Sequence, residues 1–372
     1  MDIVSSLLSA LSSEPRVMLA TIISTSGSTP ASALSKMIIT NEGKSSIGTV
    51  GGGCMEGDVL HGAKDLFPMN KAAVMTFHLN EEEMIQGLIC GGTVNILLEP
   101  VGQESRQLYE ELQQIRDNGD DCIVATHVTN SGEIRLKSLV KGDSIGRNNP
   151  VGDYLGTTRT STNSLNPPEE LLHSMQKALH RAETQTIVLP DGQLILEPVF
   201  GRPHLLLFGG GHVSRYLSRT ASMAGFRVTV VDDRPQYANP ERFPEADATL
   251  VVEFYEALSQ IEIKQSTYVV IVTRGHRSDE DILEQVIRTP AKYIGMIGSA
   301  RKVLATYEHL LERGVTRDKL TRVHAPMGLE IGAATAEEIA VSVVAELIQV
   351  RRNAHPPAEN KSTPLLPRFN KL

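Results

Sequence analysis

Apolar and polar positions alternate along the first half of the chain in short β-type runs broken by small residues. Residues 17–25, "VMLATIIST", and 36–40, "KMIIT", predict neighbouring strands, parted by the turn-forming residues of "SGSTPASALS". "MEGDVLHGAKDLF" then places apolar residues at helical spacing, "AAVMTFHL" predicts a strand, and "GLICGGTVNILLEPV" a glycine-bracketed turn feeding another. Residues 104–117 predict a helix, and "DCIVATHV" with "GEIRLKSLV" a strand pair joined through "TNSG". The segment 141–168 has no period and is dense in Gly, Ser, Thr, Asn and Pro, which predicts a long loop. A helix over 169–182 and a hairpin about Asp191-Gly192 follow.

From residue 204 the pattern changes. "HLLLFGGGHVSRYLSRTASMAGFRVTVVDDRP" predicts strand, glycine turn, helix and strand, and "ATLVV", "TYVVIVT" and "KYIGMIG" add three buried-strand runs with helices between or after them. That rhythm describes a parallel sheet covered on both faces. The fold class is therefore α/β: an N-terminal mixed α/β domain over 1–200, then a Rossmann-like doubly wound parallel sheet over 201–352, with a loose, Pro-rich tail from 353 to 372. A chain of 372 residues also exceeds what one hydrophobic core usually serves.

Composition narrows the function classes. With 41% hydrophobic and 22% charged residues the chain is of ordinary globular type. Its net charge of −8 disfavours duplex nucleic acid as a main partner, because phosphate binding needs a concentrated basic surface. The start, "MDIVSSLLSALSSEPR", has no leader pattern, and no run of about 18 apolar residues occurs, so a cytoplasmic protein without a membrane partner is expected. Three scattered cysteines, Cys54, Cys90 and Cys122, do not form a disulfide framework.

Gly209, Gly210 and Gly211, leading into a helix that starts at His212, form the first part of a dinucleotide fingerprint, with Ser214 where a third glycine would stand. Asp232 closes the next strand roughly twenty residues on, where a ribose-binding acid is expected. "VTRGHRSDEDIL" and "IGMIGSARK" both follow strands, so Arg274, His276, Arg277, Gly298, Ser299, Arg301 and Lys302 gather along the same carboxyl edge and suit a phosphorylated ligand. Ser299 is placed to cap a helix, and Thr335 with Glu338 to form a capping box. No HExxH or CxxC spacing predicts a protein-only metal site.

In "GTVGGGCMEGDVL", Gly51, Gly52 and Gly53 free the backbone immediately before Cys54, at the start of a helix. A thiol there is either an activated thiolate or a small residue suited to a tight turn. Cys90 in "LICGG" has a similar, weaker setting, while Cys122, inside an apolar run, is expected to be buried with a raised pKa.

"GSTP", "GGGCMEGDV", "CGG", "FGGGHVSRYL", "VVDDRP", "VTRGHRSDEDIL", "YIGMIGSARK" and "GLEIGAATAEEIAVSVVAELI" together resemble the XdhC/CoxI family, over residues 17–100 and 200–350 and in order. Leu34 and Ser35 before Lys36 and Met37 depart from that pattern, and 101–199 carries little of it. The resemblance implies an accessory protein, not itself an enzyme, that binds molybdenum cofactor as molybdopterin or its dinucleotide form. It further implies protection of the sulfurated form and hand-over to an apo molybdenum hydroxylase of xanthine-dehydrogenase type. A cysteine desulfurase and a second copy of the chain are further implied partners, and Cys54 is a candidate molybdenum contact. The fingerprint alone also permits an NAD(P)-dependent oxidoreductase or a nucleotide-sensing regulator.

Overall fold

The computed structural model describes residues 2–27, 34–78, 92–145 and 169–352, with the side chains of Cys54 and His276 outside that description. Cys90, most of the 141–168 segment and the tail from 353 lie outside the described residues. The chain divides into two compact units, Met1–Gly201 and Arg202–Leu372.

The first unit is built on two antiparallel sheets. β1 (Arg16–Ser26) sits at the centre of a five-stranded sheet with β2 (Lys36–Thr40) and β3 (Ser45–Gly48) on one side, and β5 (Thr93–Gly102) and β4 (Ala73–His78) on the other. Period-two alternation sends Met18, Ala20 and Ile22 of β1 against Met55, Val59 and Ala63 of α2 (Cys54–Met69). Val17 and Leu19 face the opposite way, toward α1 (Ile3–Ser13) and α3 (Arg106–Asp117). The second sheet, in the order β7 (Ile134–Lys141), β6 (Cys122–Thr129), β9 (Gly192–Val199), β8 (Gln185–Leu189), contributes Cys122 and Val124 to that shared core. Its other face, with Ile123 and Ala125, packs on Leu171, Met175 and Ala178 of α4 (Glu169–Arg181). The predicted strand pair and the hairpin about Asp191-Gly192 are thus both present, as neighbours in one sheet.

Helix α1 is not among the elements predicted from the sequence. Its signal is present: Val4, Leu7, Ala10 and Leu11 form one buried face, and Asp2 caps the first turn by accepting from Val4 N–H at 3.1 Å.

The second unit is a six-stranded, fully parallel sheet in the order β12 (Ala248–Val251), β11 (Arg227–Asp232), β10 (His204–Phe208), β13 (Thr267–Ile271), β14 (Tyr293–Met296), β15 (Val323–His324). Counted from β10 this is the 3-2-1-4-5-6 order of the Rossmann fold, with the switch point between β10 and β13. Leu205 and Leu207 point to one face, under α5 (His212–Met223) and α10 (Ala336–Arg351). Leu206 and Phe208 point to the other, under α6 (Phe254–Gln260), α7 (His276–Val286) and α8 (Ala300–Glu312). The short α9 (Arg317–Leu320) precedes β15. Among the described residues no helix is long and apolar enough to cross a membrane.

Candidate functional site

The carboxyl end of β10 opens directly into Gly209, which holds φ +100, a left-handed conformation that suits glycine. A β-carbon there would lie 2.5 Å from the Val272 carbonyl, and one on Gly210 only 2.1 Å from the Tyr237 carbonyl. Both glycines are therefore required by close backbone approach. At Gly211 a β-carbon would meet nothing within 4 Å, so the space in front of it is open. Gly211 is also the N-cap of α5, with no side chain accepting from the first turn. Free amide N–H groups, the positive end of the helix dipole and an open cradle coincide at one point, which suits an anion.

The surrounding residues hold this loop in place. Asp232 is fully buried and accepts from Gly210 N–H at 2.8 Å, from Arg234 N–H at 3.0 Å, and from the Arg234 guanidinium at 2.8 and 3.1 Å. Burial pushes its carboxyl pKa upward, but the Arg234 and Gly210 hydrogen bonds outweigh burial and hold it below the usual carboxylate range. Arg242 donates to the Gly210 and Gly211 carbonyls at 2.9 and 3.2 Å, and Arg234 stacks 3.6 Å over the Tyr237 ring. Ser214, buried where a third glycine would stand, donates its hydroxyl to the Gly209 carbonyl, tying the first turn of α5 back to the loop.

Two further helices begin on the same edge. α7 starts after Gly275 with no side-chain cap, whereas Ser299 caps α8 by accepting from Lys302 N–H at 3.3 Å, as its position predicts. Lys302 does not stand free among the edge cations. Its ammonium pairs with buried Asp279, whose carboxylate also accepts from the Thr273 hydroxyl at 2.6 Å and N–H at 3.2 Å. Gly298 leaves room for the Lys302 stem, since a β-carbon there would lie 2.8 Å from Lys302 Cδ. Arg274, Arg277 and Arg301 remain exposed, and so does His212 on α5. Past β15, buried Glu346 accepts from Tyr293 OH at 2.6 Å and Gly328 N–H at 2.7 Å and meets His324 Nδ1 at 2.9 Å, anchoring the segment that leads to α10. Thr335 and Glu338 form the expected capping box there.

In the first unit the glycine loop before α2 is equally specific. Gly51, Gly52 and Gly53 hold φ of +124, +79 and +65, and Gly53 caps α2, whose first residue is Cys54. Glu56, from the first turn, reaches back to accept from Val50 and Gly52 N–H at 3.2 and 3.1 Å and from the Thr49 hydroxyl at 2.5 Å. Cys122 is fully buried between the two sheets, and desolvation pushes its thiol up to about 12.

The sequence pattern points to Asp232 as a ligand group but does not reveal Glu56, Asp279, Arg234, Arg242 or Glu346 as the residues that build the loops. These are contacts between segments distant in sequence, or reversals within one turn. Among the described residues no group of three His, Cys, Asp or Glu is placed to hold a metal ion.

Residues 205–347, which carry this sheet edge, match a family model described as the XdhC Rossmann domain, and residues 10–78 match one described as the XdhC and CoxI family. The chain belongs to the XdhC and CoxI family. A Bacillus subtilis protein described as a probable subunit of xanthine dehydrogenase is 28% identical over 349 residues, covering 92% of this chain and 95% of that one. Escherichia coli YqeB, described as uncharacterized, is 39% identical over 154 residues, 41% of this chain and 28% of its own length. Escherichia coli PaoD, a molybdenum cofactor insertion chaperone, is 27% identical over 101 residues, 27% of this chain and 32% of PaoD. The matches thus span under a third of YqeB and of PaoD. A crystal structure from Bacillus halodurans described as a xanthine dehydrogenase shares the fold, with a TM-score of 0.75 at 24% identity over 98% of this chain and 99% of that one.

Proposed function

We propose that this XdhC-family chain is an accessory protein of a molybdenum hydroxylase of xanthine-dehydrogenase type. It carries molybdenum cofactor as cargo, protects the sulfurated form, and delivers it to the apoenzyme. The observation that carries the reading is the open cradle at Gly211, the uncapped start of α5, where a β-carbon would meet nothing within 4 Å. The cargo presents a phosphate, alone or extended to a dinucleotide, and unsatisfied helix-start amides are suited to bind such an anion without a metal. The uncapped start of α7 and the exposed Arg274 and Arg301 add positive potential on the same sheet edge. Similarity to PaoD and to the Bacillus subtilis protein supports the choice of cargo and recipient. Cys54, as first residue of α2 behind three glycines, is the candidate contact for the metal end. A thiolate there would gain from the helix dipole.

Mass spectrometry of the small molecules retained by the purified protein is expected to find molybdenum cofactor. Mixing with apo-hydroxylase should give activity in proportion to the protein added, without consumption of NADH or NADPH. Catalytic nicotinamide turnover with no activation of the hydroxylase would replace this reading with that of an oxidoreductase.

A further inference from the structure

One histidine of the second unit takes no part in the phosphate edge. β15 is the outermost strand of the parallel sheet, and His324 stands at its carboxyl end. Its Nδ1 meets Glu346 Oε1 of α10 at 2.9 Å, while Glu346 Oε2 accepts from Tyr293 OH at 2.6 Å and from Gly328 N–H at 2.7 Å. Glu346 is buried. Burial pushes its carboxyl pKa upward, but the hydrogen bonds from His324, Tyr293 and Gly328 outweigh burial and hold it below the ordinary range. An ionised carboxylate only accepts, so the proton of a neutral His324 ring sits on Nδ1 and Nε2 keeps its lone pair.

The plane of the ring is held as well as its tautomer. His324 stacks on Tyr293 at 4.4 Å with 30° between the planes, and Tyr293 stacks on Tyr268 at 6.1 Å and 23°. A series of near-parallel rings thus crosses β13, β14 and β15 and ends at His324. The two tyrosines are buried, whereas the His324 side chain is 33% exposed. Its Nε2 has no hydrogen-bond partner among the described residues and is not closed off from solvent. A buried carboxylate that fixes one partly open imidazole readies the far ring nitrogen for a ligand. A metal ion does not suit the place, since among the described residues no group of three His, Cys, Asp or Glu is set to hold one.

We propose that His324, positioned by Glu346, is a recognition site for a flat nitrogen heterocycle whose ring N–H donates to Nε2. The fixed tautomer decides the ligand class. A neutral ring held this way offers an acceptor at Nε2 and no donor, so it fits an N–H group and not a phosphate oxygen. A planar ligand suits the open end of the aromatic series. The choice of a pterin as the ring rests on the cargo reading above; the dyad itself does not.

The test uses the full chain, freed of retained small molecules, at about pH 8, where an ordinary imidazole is neutral. Pterin and N3-methylpterin, which lacks the lactam N–H, are the probes. Diethyl pyrocarbonate acylates the open nitrogen of a neutral imidazole, and peptide mass spectrometry reads each histidine separately. Saturating pterin should slow labelling of His324 and leave exposed His309, which meets Glu280 on the surface, unchanged. N3-methylpterin should bind about tenfold more weakly in a fluorescence titration, the loss of one hydrogen bond. Nitrogen NMR of the wild-type ring should place the proton on Nδ1; Glu346→Gln should give mixed tautomers and lose the discrimination between the two probes. A wild-type ring protonated on Nε2, labelling of His324 that pterin does not alter, or protection by inorganic phosphate in place of pterin would each overturn the assignment, and none of these needs a variant to fold. Retained molybdenum cofactor that leaves His324 labelling unchanged would overturn it while the cargo reading stands. Protection by pterin in a chain that retains no cofactor and activates no hydroxylase would support the site and remove the cargo reading.

Discussion

Gly210 and Gly211 are adjacent, yet a β-carbon has opposite consequences at the two. Gly210→Ala must displace the Tyr237 backbone carbonyl, 2.1 Å from the new atom, and is expected to cost about 1–3 kcal/mol of stability in urea denaturation. Gly211→Val has open space and an ordinary backbone, φ −69, so it should unfold at a nearly unchanged urea concentration. The same substitution should abolish pyrophosphate binding, because its side chain occupies the cradle. Another single-residue effect is set by His204, buried at the start of β10 with its Nε2 2.9 Å from the Thr229 hydroxyl. Burial, aided by the nearby Arg227 charge, lowers its pKa from 6.5 to about 4. Above pH 6.5 the folded and unfolded chains are both neutral at this position. As pH falls from 6.5 toward 4 the unfolded chain takes up a proton that the folded one refuses, so stability drops, by about 3 kcal/mol when the window is crossed. His204→Gln should flatten that acid limb, measured as the shift in urea midpoint between pH 7 and pH 4.5.

At the scale of elements, both glycine-led helices depend on a side chain that folds back. Ser214 does this for α5 and Glu56 for α2. Removing the Glu56 acceptor leaves Val50 and Gly52 N–H without their partner, so Glu56→Ala should speed amide hydrogen exchange across residues 49–53 while the body of α2 stays protected. Gly53 shows that room and strain are separate: a β-carbon there meets nothing, but φ +65 with ψ −145 is a region that side-chain-bearing residues avoid. The helix and strand spans near these loops are readable from hydrophobic period because burial on one face is a local pattern. The turn-back by Glu56 is not, since a Glu in a first helical turn is common without any such role.

At the scale of the molecule, the first unit joins its two sheets with two buried ion pairs of opposite polarity. Lys36 of β2 meets Glu197 of β9 at 2.7 Å, and Glu99 of β5 meets Lys137 of β7 at 2.5 Å. Each sheet thus supplies one cation and one anion, an arrangement that favours one face-to-face register over slipped alternatives. Lys36→Met alone leaves Glu197 buried and unpaired and should cost about 3–5 kcal/mol. Joined with Glu197→Leu the loss should shrink by more than half, a double-mutant cycle in urea that reads the coupling directly.

What followed from the sequence alone was whatever depends on near neighbours. The 204–208 and 267–271 strands, the Ser299 cap, the Thr335–Glu338 box, the buried Cys122 and the glycine turn after β10 all rest on period, capping chemistry or backbone freedom. The motifs also carried the family. Tertiary structure decided which charges are spent. Asp232 and Asp233 are consecutive in "VVDDRP" and chemically identical, yet one is locked to Gly210 and Arg234 by hydrogen bonds of 2.8 Å while the other makes 3.4 Å ion contacts with Arg234 and Arg274. Lys302 and Arg274 looked alike as edge cations, but one is bound to buried Asp279 and the other is exposed. A strand's period says which residues face in. The partner a charge finds depends on segments tens of residues away, brought to the same sheet edge only when the fold is complete.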